Sequence, residues 1–162
     1  MKIVIISENK FQDYELELLA KRAKTLSKAR FLTVEETHGA KGIDTADVVV
    51  LFNMSRGFFY QDIKISIKMI FLGSQLAIKG LEVFLITCNG KKPGYGPLDY
   101  HIWRVYKNAI EDRTVTGEQK YLFKKYSKVP WEVKGEDNRW TFNHFDWSKF
   151  QQEFILKKDK LS

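Results

Sequence analysis

Two stretches of the chain are apolar at nearly every position and end in polar residues: 47–53, Asp-Val-Val-Val-Leu-Phe-Asn, and 82–88, Glu-Val-Phe-Leu-Ile-Thr-Cys. A strand with one wet face alternates, whereas a strand covered on both faces does not, so these runs predict inner strands of a parallel sheet flanked by helices. A third run, Ile3-Val-Ile-Ile, sits within 2–7, and residues 30–35 offer a shorter fourth strand. Between them, Leu16, Leu19, Ala20, Ala23 and Leu26 recur at helical spacing and predict a helix over 13–28. A second helix is predicted over 60–79, with Ile63, Ile67, Ile70, Phe71, Ser74, Ala77 and Ile78 on its inner side and Gly80 at its C-cap.

The order β-α-β-β-α-β, with right-handed crossovers, predicts an α/β fold: a Rossmann-like three-layer sandwich with a mainly parallel sheet of about four strands. After a loop rich in Gly and Pro, Leu98, Ile102, Val105, Tyr106 and Ala109 predict a third helix over 98–111. Beyond residue 114 aliphatic runs give way to aromatics. Residues 117–126 read as helical, 131–133 and 139–142 as the arms of a hairpin, and Asp146 as the N-cap of a last helix carrying Trp147, Phe150 and Phe154. The expected organisation is a Rossmann-like domain over 1–114 with a small aromatic C-terminal extension, helical and hairpin, over 115–162 packed on it.

A chain of 162 residues is the size of one domain. Cys88 is its single cysteine, which leaves no internal disulfide, and no leading apolar run resembles a signal peptide or membrane span. A cytoplasmic location without membrane association is the expectation. The net charge of +7 directs attention to anionic partners. Its distribution sharpens that: Lys and Arg number eight against eight acids in 1–50, six against two in 51–95, and thirteen against ten in 96–162. The proportional excess is greatest where the two apolar runs end.

Ligands of open parallel sheets bind beyond the carboxyl ends of the strands. The residues expected there are Ser7 and Asn9 after the first strand, Asn53, Ser55 and Arg56 after the third, and Asn89 and Lys91 after the fourth. Amides, hydroxyls and cations suit a phosphate or carboxylate, and the same residue types are also ordinary turn formers. Asp62, Asp99 and His101 are the candidate acid/base groups near that edge. No Gly-x-x-x-x-Gly-Lys-Ser/Thr and no Gly-x-Gly-x-x-Gly after the first strand is present, and no Cys/His spacing fits a metal, so no cofactor and no metal are expected. Trp131, Trp140 and Trp147 lie close in sequence among Lys134, Arg139 and Lys149. They read either as a stacking platform for bases, with Trp140 and Trp147 its candidates, or as a mini-core that pins the extension. The expectation is burial for Trp131 and Trp140, with Trp147 partly exposed.

The segment Ile43-Asp-Thr-Ala-Asp-Val-Val-Val-Leu-Phe-Asn53, the helix end Leu72-Gly-Ser-Gln-Leu-Ala-Ile-Lys-Gly80 and the strand Glu82-Val-Phe-Leu-Ile-Thr87 together resemble the nucleoside 2-deoxyribosyltransferase-like and TIR-like Rossmannoid group, over about residues 1–90. The resemblance implies a Rossmannoid fold and a nucleotide or nucleoside ligand. Glycosidic-bond-cleaving members carry an essential Glu at the start of the corresponding helix. In this chain Asp62 is the only acid between residues 60 and 75, so that role is not carried over.

The expected function is nucleotide or nucleic-acid binding, DNA included, with an anion site at the carboxyl edge. The alternatives are a nucleotide- or nucleoside-processing enzyme of deoxyribosyltransferase-like type and an interaction protein acting on a cellular partner. No motif decides whether a reaction is catalysed, and no oligomeric state is expected in particular.

Overall fold

A computed structural model of the protein describes residues 1–53, 67–89, 99–105, 123–127 and 145–156. Its sheet contains β1 (Ile3–Ser7), β2 (Arg30–Thr33), β3 (Val48–Asn53), β4 (Glu82–Asn89), β5 (Asp99–Val105) and β6 (Phe123–Ser127). They lie in the order β2-β1-β3-β4-β5-β6. The first four run parallel, as their unbroken apolar runs predict. β5 and β6 add two antiparallel strands, making a mixed α/β sheet of six rather than about four.

Alternation along the strands sends side chains to two separate cores. Ile3, Ile5, Val48, Val50, Phe52, Phe84, Ile86 and Ile102 belong to one, where α1 (Asp13–Arg22), α2 (Lys24–Ser27) and α4 (Trp147–Phe150) pack. Val4, Ile6, Val49, Leu51, Val83, Leu85 and Val105 belong to the other, with Met69, Leu76 and Ala77 of α3 (Ile67–Ile78) and Val34, Ile43 and Ala46 of the β2–β3 connection.

Two predicted helices are strands where the structure describes them. Residues 99–105, placed in a helix over 98–111, form β5, whose Asp99 to Val105 oppose Asn89 to Val83. Ile102 and Val105 share a helical stripe in the sequence, yet they are buried in different cores, one on each face of the sheet. The run Tyr-His-Ile-Trp is dense in strand formers, and the Gly- and Pro-rich sequence before it suits an antiparallel return. Residues 123–126, the end of the stretch read as helical, belong to β6, because pairing with β5 overrides local propensity. The remainders of those two predicted helices, 106–111 and 117–122, and the hairpin arms at 131–133 and 139–142 lie outside the described residues, as does the predicted helix start at 60–66.

The helix predicted over 13–28 is broken at Ala23, whose φ of -144 and ψ of 77 are not helical. Leu19, Ala23 and Leu26 of the predicted stripe are buried, Leu16 is half-buried and Ala20 is exposed. The break costs Leu26 its helical partner, and the buried Gln151 supplies one: its Oε1 accepts from the Leu26 N–H at 3.0 Å. Gln151 opens a π-helical turn (Gln151–Leu156) directly after α4.

α3 keeps Ser74 and Ala77 of the predicted inner stripe against the sheet and turns Phe71 and Ile78 out of it. Phe71 is 56% and Ile78 48% exposed, whereas Met69, Gly73, Ser74, Leu76 and Ala77 are buried. Close approach explains this rotation: a Cβ on Gly73 would stand 2.7 Å from Leu51 Cδ1 and 3.7 Å from Val105, so the small residues face the strands. The predicted C-cap is present. Gly80 has φ of +92, its N–H bonds Ala77 O at 3.0 Å, and the Leu81 N–H bonds Leu76 O at 3.2 Å, the paired bonds of a Schellman turn.

The described C-terminal residues contribute to the opposite core, the one under α1 and α2. Asp146 caps α4 as predicted, its Oδ1 accepting from the Lys149 N–H at 3.0 Å. Trp147, expected to be partly exposed and a candidate for stacking on bases, is fully buried. Rings of Phe145 at 4.9 Å, Phe52 at 5.1 Å and Phe150 at 6.3 Å enclose it, so its faces are closed to a base.

Candidate functional site at the carboxyl edge of the sheet

The chain leaves β1 through α1 over one face to reach β2. After β3 the chain goes to α3, which packs on the other face, and on to β4 on the opposite side of β3 from β1. Connections therefore part in opposite directions between β1 and β3. Such a reversal leaves a crevice beyond the carboxyl ends of the two strands, where open α/β sheets bind ligands.

The residues after β1 shape one wall. Ser7 is buried and opposes Thr33 of β2 and Phe52 of β3. Its hydroxyl donates to Asn9 O at 2.6 Å, so that proton is engaged in the turn while Oγ retains acceptor capacity. The Ser7 carbonyl accepts from Val34 N at 2.9 Å, which ties the end of β1 to the end of β2. Asn9 and Lys10 are exposed beyond that turn.

Beside them, Thr33 and Glu36 form a reciprocal pair: Thr33 N–H donates to Glu36 Oε1 and Glu36 N–H to Thr33 Oγ1, each at 3.1 Å. The Thr33 backbone hydrogen bond, then its side chain, holds the Glu36 carboxyl below the usual carboxylate range, and the Lys10 ammonium adds a smaller pull. Lys10, Thr33 and Glu36 were not among the sequence-predicted site residues. Lys10 had a signal, since it directly follows Ser7-Glu8-Asn9 in the loop after β1.

Strand register gathers the other described candidates. Asn53 opposes Thr87, and Thr87 opposes His101, so the three occupy one row across β3, β4 and β5. Two inter-strand spacings put the ends of that row about 10 Å apart. Asn89 opposes Asp99 two positions further out. The prediction that Asp99 and His101 lie at this edge survives the change from helix to strand, because β5 enters the sheet where β4 leaves it. Thr87, central to the row, was missed, although it is the first polar position after Val83-Phe-Leu-Ile86. Ser55, Arg56, Asp62, Lys91 and Trp140 lie outside the described residues.

Among the described residues, no group of three His, Cys, Asp or Glu side chains is placed to hold a metal ion. No helix among them is long and apolar enough to cross a membrane. Comparison of the chain with protein-family models, curated proteins and solved structures finds no match.

Proposed function

We propose that the chain is a Rossmann-like three-layer sandwich that binds the phosphate of a nucleotide, or of a nucleic-acid end, in the crevice between the carboxyl ends of β1 and β3. The observation that carries this reading is the reversal of connection direction between those strands, with the Ser7–Asn9 turn and Asn53 at its rim. The helices on each face supply the outer layers. Lys10 lies at the rim, and the sequence puts Arg56 three residues after Asn53 and Lys91 two after Asn89, which together offer positive charge to a phosphate. Titration calorimetry with nucleoside monophosphates and with the parent nucleosides tests it. The monophosphates bind and the nucleosides bind more weakly. An Asn9→Asp/Asn53→Asp variant, which adds negative charge at the rim, loses at least about tenfold, or 1.4 kcal/mol. Equal affinity in the two proteins removes the crevice from consideration.

A second reading is favoured by the placement of Asp99 and His101 beside Asn89 and Thr87. In it the protein processes the nucleotide or nucleoside, with one of these two moving a proton, in keeping with the resemblance to deoxyribosyltransferase-like proteins. Incubation with nucleosides and nucleotides, followed by chromatography of the products, distinguishes it. Turnover that disappears in Asp99→Asn or in His101→Gln supports it, and intact substrate leaves binding alone.

A further inference from the structure

We propose that the outer face of α1 and α2 docks the phosphate backbone of double-stranded nucleic acid through Lys21, Lys24 and Lys28. Each helix turns one fully buried leucine to the core, Leu19 in α1 and Leu26 in α2. Lys21 follows Leu19 by two residues, and Lys24 and Lys28 stand two residues before and after Leu26. Two residues are about 200° of helical turn, so the three lysines lie on the side away from the core. All three are exposed. The chain crosses back along α1 from the carboxyl end of β1, which puts α2 toward the amino edge, just before β2. The face is therefore separate from the β1–β3 crevice, and the proposal does not depend on the crevice reading.

Lys24 and Lys28 are four residues apart, the spacing at which like charges repel across a helical turn. Neither they nor Lys21 enters an ion pair among the described residues. The nearest acids along the chain are Glu17 and Glu35, and residues 18–34 contain five cations and no acid. The helix dipole accounts for Lys21 in the last turn of α1, but α2 is a single turn with little dipole to answer, which leaves Lys24 and Lys28 without that reason. An anion that touches both relieves their repulsion. The surrounding residues select which anion. Ala20, Thr25, Ser27 and Ala29 adjoin the lysines, and none of the exposed large apolar residues, Met1, Tyr14, Phe71 and Ile78, falls within 18–34. A protein partner wants an apolar or aromatic centre to its interface, the bases of a single strand want rings to stack on, and a membrane surface wants an apolar helix face to bury. A duplex asks for charge alone, presenting about one phosphate charge per 1.7 Å of its axis, and the short neighbouring side chains let its backbone approach.

The test is fluorescence anisotropy on the full chain with labelled DNA duplexes of about twenty base pairs, two helical turns, in two unrelated sequences. Salt is varied from about 50 to 200 mM, because each phosphate contact adds roughly 0.9 to the slope of log affinity against log salt. Wild type binds both sequences alike, with a steep slope. Lys24→Gln/Lys28→Gln lowers the slope by about 1.8 and weakens binding at least about tenfold at the lowest salt, while Lys24→Arg/Lys28→Arg retains both. The urea midpoint of the glutamine variant stays at the wild-type value or above, since these lysines have no ion pair to lose and their mutual repulsion goes. Mononucleotide affinity stays unchanged in the lysine variants, and duplex affinity survives Asn9→Asp/Asn53→Asp, which separates failure of this proposal from failure of the crevice reading. Absence of duplex binding, or an unchanged slope in the glutamine variant, overturns it. Tighter binding of a single strand of the same length also overturns it, as does binding of polyglutamate or of phosphatidylserine vesicles without the duplex, in favour of an acidic protein or a membrane surface.

Discussion

The two faces of the sheet are built from different materials. One is aromatic: Phe11, Phe52, Phe84, Phe145, Trp147 and Phe150 are buried there under α1, α2 and α4. The other core contains no aromatic residue among the described ones and is covered by α3 and the β2–β3 connection. Large rings hold short elements in place across a wide gap, because each buries much apolar area and makes edge-on contacts with its neighbours. Small residues instead let one helix lie close to the strands, as Gly73 does against Leu51. Truncating a ring and altering the close contact therefore have different consequences.

The largest effect is expected on the aromatic face. Trp147 begins a four-residue helix that could not persist in isolation, and its side chain joins Phe52 of β3 to Phe145 and Phe150. Trp147→Ala should cost about 3–5 kcal/mol, a large part of the 5–15 kcal/mol that holds a domain of this kind together. Urea denaturation reads the loss. A cost below about 1 kcal/mol would show that the C-terminal segment contributes little to this core, and the contrast between the faces would dissolve.

A smaller effect probes the polar link in the same layer. Gln151 is buried and accepts the Leu26 N–H that the break at Ala23 leaves without a helical partner. Gln151→Leu keeps the bulk and removes the acceptor, with an expected loss of about 1–3 kcal/mol from the unsatisfied donor. Hydrogen exchange at the Leu26 amide should accelerate by more than at the Leu19 amide. Equal acceleration at both positions would mean general loosening, with no particular role for this bond.

What the sequence discloses differs along the sheet for a related reason. β1, β3 and β4 are covered on both faces, so their runs admit no other periodicity, and their parallel pairing follows from the helical stripes between them. β5 carries Ile102 for one core and Val105 for the other, three residues apart, a spacing that a helix shares. Local pattern does not separate the two, and the antiparallel partner decides. The inner side of α3 was hidden by the same kind of ambiguity. That helix is apolar nearly all round, and Gly73, invisible to a hydrophobicity pattern, sets its rotation. At the site, Ser7, Asn9, Asn53 and Asn89 could be read from their places after apolar runs. The pairing that aligns Asn53 with His101 through Thr87 needed the register. Trp147 was misplaced because a cluster of tryptophans among cations has the same composition whether its rings face solvent or core.

The smallest expected effect lies on the aliphatic face. Ser74 follows Gly73 on α3, is 1% exposed, and its hydroxyl has no hydrogen-bond partner among the described residues. A buried hydroxyl without a partner has lost its hydration and regained nothing, and serine is also a poorer helix former than alanine. Ser74→Ala leaves the Cβ that already fits beside Gly73 and removes only the oxygen. It should therefore stabilise the protein by about 0.5–1 kcal/mol, read as a higher urea midpoint with an unchanged slope. A loss of similar size would instead identify Ser74 as hydrogen-bonded to a residue outside the described segments. The close approach of α3 would then rest on a polar contact as well as on its small residues, narrowing the difference between the two faces.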